Sequence, residues 1–219
     1  MFNLKKVAAV VFMIFCCNSA VIAEATGFLD KRLLIDDVKY RYQVFIPKAY
    51  AAEKKWPVIL FLHGVGSRGN DGRLQTRNGL GPSIREAPQR WPVIAVFPQA
   101  GNKQSWAGVS TEIAMLALET TLSEYSTDKT RIYLTGISMG GNGAWYLGYH
   151  FRDRFAAIVP ICGYIKGPPK ISPVFRGAIE SPYHAVARRL AATPVWIFHG
   201  DADPMIPVSE SQIMGSASP

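Results

Sequence analysis

The sequence predicts an α/β fold built on an open, mostly parallel sheet with helices on both faces. Two observations carry this. Strand-length apolar runs alternate with helix-length segments, and the residues able to do chemistry fall just after the ends of those runs. A third observation narrows it. Ser138 stands in Gly136-Ile137-Ser138-Met139-Gly140, after the apolar run Ile132-Tyr133-Leu134 and before the small residues Gly141-Asn142-Gly143-Ala144.

At the N-terminus, Lys5 and Lys6 precede an uncharged stretch from Val7 to Cys17, and Val21-Ile22-Ala23 follows. That is the layout of a secretory signal peptide over residues 1–23, with an apolar part too short for a comfortable membrane span. Residues 24–219 then form one domain, exported to a periplasmic or extracellular space. Processing would remove Cys16 and Cys17 and leave Cys162 as the sole thiol, so no internal disulfide supports the fold. Cys162 follows Ile158-Val159-Pro160-Ile161 and reads as a packing residue.

Val38 to Ile46 alternates in period two, as a half-exposed strand does. Val58 to Leu62 and Val93 to Phe97 are apolar throughout, which suits strands covered on both faces. Ile132 to Leu134, Ala156 to Ile161 and Val195 to Phe198 follow the same rule. Between them, Thr111 to Tyr125 sets Ala114, Leu118, Leu122 and Tyr125 along one helical face. Gly141 to Phe151 and Pro182 to Ala192 read as further helices, and the Gly- and Pro-rich stretch from Gly163 to Ser181 reads as a loop near the site.

Composition excludes several classes. With 48% hydrophobic and 18% charged residues the chain is neither disordered nor too polar for a core. Its net charge of +8 is scattered, with Lys54-Lys55 and Arg188-Arg189 the densest groups, so no nucleic-acid stripe is present. Gly64-Val65-Gly66-Ser67-Arg68-Gly69 fits a dinucleotide fingerprint by spelling alone. Asn70-Asp71-Gly72 prolongs a turn where that fingerprint needs a helix, and no acid closes the next strand. These glycines suit a loop whose backbone approaches a substrate closely.

The serine motif implies a strained strand-to-helix turn. The flanking glycines allow the bend, the hydroxyl projects from the sheet, and the Met139 amide is left free to receive an oxyanion. Three segments together resemble secreted α/β-hydrolases of the esterase and phospholipase/carboxylesterase type, a group that includes polyhydroxybutyrate-depolymerase-like and dienelactone-hydrolase-like members. They are Tyr40 to Gly72 with its His63-Gly64-Val65-Gly66, Tyr133 to Gly141, and Phe198-His199-Gly200-Asp201-Ala202-Asp203-Pro204. The resemblance runs from about Tyr40 to Met214. It implies Ser138 as nucleophile, Asp203 rather than Asp201 as the acid, and the Val65 and Met139 amides as oxyanion donors. It implies a small-molecule or polymeric ester as substrate, and no metal or organic cofactor. Gln99 and Trp106 stand where they would line the substrate pocket, with core packing the other reading of Trp106.

The same resemblance places the catalytic histidine after the acid, yet all four histidines precede Asp203. His63 and His199 occupy structural positions of the family. His150 is twelve residues beyond Ser138 on one helix, roughly 18 Å away at about 1.5 Å per residue. His184 alone has freedom to reach the serine. Ser209-Glu210-Ser211-Gln212 opens a helix that Gly215 to Pro219 halts after little more than a turn. The reading is therefore a hydrolase domain lacking its last strand and helix, with Val195 to Phe198 left as an apolar edge. A peptidase of the prolyl-oligopeptidase branch and a non-catalytic homologue are the alternatives.

Overall fold

The computed structural model describes residues 25–167, 175 and 181–217. Residues 1–23, expected to be a signal peptide, and most of the stretch between Gly167 and Ser181 lie outside them. Six strands form one sheet in the order β1-β2-β4-β3-β5-β6. They are β1 (Gly27–Ile35), β2 (Val38–Ile46), β3 (Trp56–Leu62), β4 (Ile94–Pro98), β5 (Thr127–Ile137) and β6 (Ala157–Ile161). The β3/β4, β3/β5 and β5/β6 pairs are parallel, and the β1–β2 hairpin joins antiparallel through β2 to β4.

The predicted strands fall where their apolar runs place them, because such runs are buried on both sides. Along β4, Ile94 and Val96 enter the larger core while Ala95 and Phe97 enter a second one with Phe45, Phe61 and Ile84. The helices are α1 (Leu80–Glu86), α2 (Val109–Glu124), α3 (Met139–His150), α4 (Pro182–Arg189) and α5 (Ser209–Ala217). Ile84 of α1 lies in the smaller core, and residues of α2 through α5 lie in the larger one. The sheet is thus covered on both faces, unequally.

Two elements escaped the sequence. Asp30-Lys31-Arg32 interrupts any alternation in β1, an edge strand fixed instead by its full register with β2 around Asp36 and Asp37, both at positive φ. Helix α1 contains Gly81 and Pro82. A Cβ on Gly81 would lie 2.1 Å from the Thr76 carbonyl oxygen, so glycine is needed for the chain to pass itself there. Helix α5 also runs through Gly215 to Ala217, longer than its composition suggested.

Val195 to Phe198 runs parallel to β6, through Trp196 N–H to Ile158 O (3.0 Å) and Phe198 N–H to Pro160 O (3.1 Å). On its outer side Trp196 is 68% exposed and lies tilted against Phe198 with ring centres 4.6 Å apart. The predicted apolar edge is therefore present among the described residues.

Candidate active site

Ser138 follows β5 and caps α3 with φ 57° and ψ −114°, a strained conformation for a residue with a side chain. Its N–H donates to Ile161 O at 2.8 Å, and its carbonyl accepts the Asn142 N–H at 3.0 Å. The elbow glycines serve a purpose the sequence reading did not give them. Neither Gly136 nor Gly140 has positive φ; both are needed because backbone passes too close. A Cβ on Gly140 would sit 1.8 Å from Leu62 O, and one on Gly136 would sit 2.3 Å from Gly140 O. The strain belongs to the serine itself.

Met139 is the first residue of α3, so its N–H has no acceptor within the helix. Val65 holds the same position in a short 3-10 turn, Val65–Ser67, after β3. A Cβ on Gly64 would lie 3.7 Å from Ser138 Cβ, which brings this loop alongside the serine. The loop is braced by Gln99 and Asp71. Gln99 accepts from Gly72 N–H (2.8 Å) and donates to Ser67 O (3.2 Å) and Asp71 Oδ1 (3.0 Å). Asp71 Oδ1 accepts the Arg73 and Leu74 amides in place of any helix start at Gly69.

Two expected pocket residues are corrected here. Gln99 is 3% exposed and spends its amide on the loop, so it shapes the loop instead of facing a substrate. Trp106 is fully buried, donates Nε1–H to His63 O at 2.9 Å and packs against Gly143 of α3. It belongs to the core under the elbow.

His63 is buried against the edge of Trp106. Its Nε2 accepts the Ala100 N–H (3.0 Å), so Nδ1–H donates to Gly64 O (2.7 Å). Burial lowers its pKa to about 4, and the Arg68 charge adds to that. His63 is therefore a neutral brace. His199 Nε2 donates to Ile206 O at 3.0 Å, leaving Nδ1 for the Ser211 hydroxyl at 2.6 Å. His150 is exposed at the far end of α3 among Tyr146, Tyr149 and Phe151. His184 lies on α4, exposed, with Nδ1 2.6 Å from Ser181 Oγ, not in an irregular segment free to move. Among the described residues, no histidine bonds the Ser138 hydroxyl.

Asp203 Oδ1 accepts the Met205 (2.8 Å) and Ile206 (3.0 Å) amides, and Oδ2 lies 3.7 Å from His199 Nε2. Those amides, with the nearby imidazole, hold its carboxyl below the usual carboxylate range. Asp201 is exposed and takes no such part. Cys162, at φ 40°, is half-buried and not the enclosed packing residue expected. Burial pushes its thiol up, the Asp203 charge adds to this and the Ser138 main chain opposes it.

One functional residue the sequence did not signal is Glu210 in the first turn of α5. Its buried carboxylate accepts Ile165 N–H (2.8 Å), Lys166 N–H (3.3 Å), Gly167 N–H (2.9 Å) and the Tyr183 hydroxyl (2.9 Å). It ties down the loop that leaves β6 beside the elbow. No group of three His, Cys, Asp or Glu side chains among the described residues is placed to hold a metal ion.

A mostly parallel sheet with a strained serine at one strand end and an aspartate loop after the last β6-paired segment defines an α/β-hydrolase. The chain matches the putative esterase family over residues 37–203 and belongs to that family. It is 29% identical to a thermostable esterase of known structure, with a TM-score of 0.72 over 87% of this chain and 51% of that one. It is 25% identical over 182 residues to an uncharacterized secreted protein of Arthroderma benhamiae, covering 73% of this chain and 19% of that protein. A bifunctional acetylxylan esterase/xylanase of Neocallimastix patriciarum is 25% identical over 111 residues, 49% of this chain and 16% of that enzyme. The chain thus spans less than a fifth of these two relatives and about half of the solved esterase.

Proposed function

We propose that the chain is an exported carboxylic ester hydrolase whose acyl-enzyme forms at Ser138. The observation that carries this is the conformation of Ser138 at φ 57°, held at the mouth of a turn whose next amide has no intrahelical acceptor. In this reading Oγ attacks the ester carbonyl and the carbonyl oxygen becomes an oxyanion facing the Met139 and Val65 amides. The alcohol leaves, and water then releases the acid from Ser138. Each oxyanion donor contributes about 3 kcal/mol to such a transition state. Asp203 is the carboxylate that would orient a base. The secreted character of the Arthroderma relative supports export. The acetylxylan esterase supports an acyl group carried on a polysaccharide as the first polymeric substrate to assay.

Attack by serine needs a base within hydrogen-bond reach. Among the described residues none bonds Ser138, so its hydroxyl gives up its proton to water and acylation is slow. The test is hydrolysis of a 4-nitrophenyl acyl ester and of an aminoacyl anilide, beside fluorophosphonate labelling. Slow ester turnover that Ser138→Ala abolishes, with label on Ser138 only, is expected. Turnover unaffected by Ser138→Ala, or faster on the anilide, refutes the reading. Rapid labelling would instead mean that a base reaches the Ser138 hydroxyl.

A further inference from the structure

The loop that carries Val65 past Ser138 also carries Arg68, whose N–H bonds the Val65 carbonyl at 3.4 Å. Arg68 is partly buried, and its Nε is enclosed with no hydrogen-bond partner. No carboxylate among the described residues pairs with it, whereas Arg131, Arg152 and Arg154 each meet an acid. Arg85 directs its guanidinium at the Thr76 carbonyl and hydroxyl. Burial lowers the Arg68 pKa, and Tyr164 is the one other group felt there.

Tyr164 lies on the loop that follows β6. The Tyr164 carbonyl accepts Asn142 Nδ2–H at 2.7 Å, and the Asn142 amide is bonded to the Ser138 carbonyl. A Cβ on Gly163 would lie 2.8 Å from the Gly141 carbonyl carbon, so the loop after β6 is pressed onto the start of α3. The Arg68 charge is also felt at His63, behind Gly64. Arg68 therefore stands three residues past Val65 on the loop leaving β3, which passes alongside the serine, with the loop leaving β6 pressed onto the start of α3.

A cation drawn partly out of water without a counter-charge is costly, and a ligand that supplies one gains from it. A guanidinium offers a planar fork that matches a carboxylate, and no second cation among the described residues acts on it to favour a doubly charged group. Resting on the ester-hydrolase reading, we propose that Arg68 binds a carboxylate on the substrate, so that the site prefers esters bearing a second, free acid group. That group can lie on the acyl side, as in a dicarboxylic hemiester, or on the alcohol side, as in an ester of a hydroxy acid.

Two substrate pairs separate these sources. The acyl pair is 4-nitrophenyl hydrogen adipate against 4-nitrophenyl hexanoate, and the alcohol pair is 4-acetoxybenzoate against its methyl ester. In one pair the charged-to-neutral ratio of kcat/KM should fall at least about tenfold in Arg68→Gln, with Arg68→Lys between, as for loss of a charge-assisted hydrogen bond. A residue that only supports the loop would lower both members alike. A second readout does not need turnover: the Arg68 Nε–H resonance of arginine-labelled protein, assigned by its loss in Arg68→Gln. It should shift saturably with monomethyl adipate or 4-hydroxybenzoate and not with their methyl esters. Absence of that shift, or an unchanged ratio in both pairs, overturns the inference. No turnover of any ester beside a saturable shift would refute the hydrolase reading and leave the Arg68 assignment standing.

Discussion

Replacing Glu210 by alanine removes four hydrogen bonds at once, and the consequence can be worked from their surroundings. Lys166 is exposed and Gly167 half-exposed, so water can take up those two amides. Ile165 is fully buried and Tyr183 is 7% exposed, so the Ile165 N–H and the Tyr183 hydroxyl are left without partners. At about 1–3 kcal/mol for each orphaned group, the loss is roughly 4 kcal/mol. For a chain of this size that lowers the unfolding midpoint by roughly 10 °C at about 2–4 °C per kcal/mol. Glu210→Gln keeps one acceptor oxygen for Ile165 and Tyr183 while presenting NH₂ toward Gly167, and should lose less than half as much. Urea unfolding gives the global term, and amide hydrogen exchange gives the local one. Exchange should accelerate at Ile165 and Gly167 in both variants. If Glu210→Ala lies within about 0.5 kcal/mol of the parent, or if exchange at Ile165 and Gly167 is unmoved, the carboxylate does not hold this loop.

Three further outcomes are expected. Gly140→Ala must displace backbone at Leu62 and should cost about 3 kcal/mol or more with loss of Ser138 labelling, while Gly66→Ala, with nothing within 4 Å, stays within about 0.5 kcal/mol in the same urea titration. His63 takes up its proton near pH 4 in the fold and near 6.5 unfolded. The unfolded chain thus binds the extra proton between those values, and stability is complete above about pH 6.5 and falls as pH drops toward 4. The fall is about 3 kcal/mol, and urea midpoints at pH 7 and 4.5 should show it in the parent and a flatter dependence in His63→Gln. Trp196→Lys should reduce concentration-dependent light scattering with an unfolding free energy within about 0.5 kcal/mol of the parent, because the ring is largely in water and its strand forms an apolar edge.

What the sequence disclosed follows from which forces are local. Runs such as Val58 to Leu62 declare a strand because burial on both faces leaves no place for a polar residue. Ser138 and Asp203 are legible because tight turns restrict what can stand in and beside them. By contrast, β1 is held by pairing with β2, and its charged middle conceals it. Trp106 and Gln99 occupy loop positions that could face either way, and the direction is decided by partners far along the chain, His63 for one and Gly72 for the other. The glycines of the elbow were read as hinges because spelling shows a missing side chain and not which backbone fills its space.

Glu210 and Ser211 show the same limit more sharply, because they are neighbours acting in opposite directions. Glu210 reaches back 45 residues to Ile165 and fixes the loop after β6. Ser211 reaches His199, which bonds Ile206 and so sets the chain that returns its amides to Asp203. One turn of α5 thus ties down both the loop after β6 and the Asp203 loop, although neither residue touches Ser138. In the sequence that turn is a short polar stretch ahead of a glycine, with nothing to separate it from a frayed helix end. A strained Ser138 keeps its conformation only if the surrounding backbone is over-determined. The first turn of α5 therefore belongs to the candidate site as surely as the elbow does.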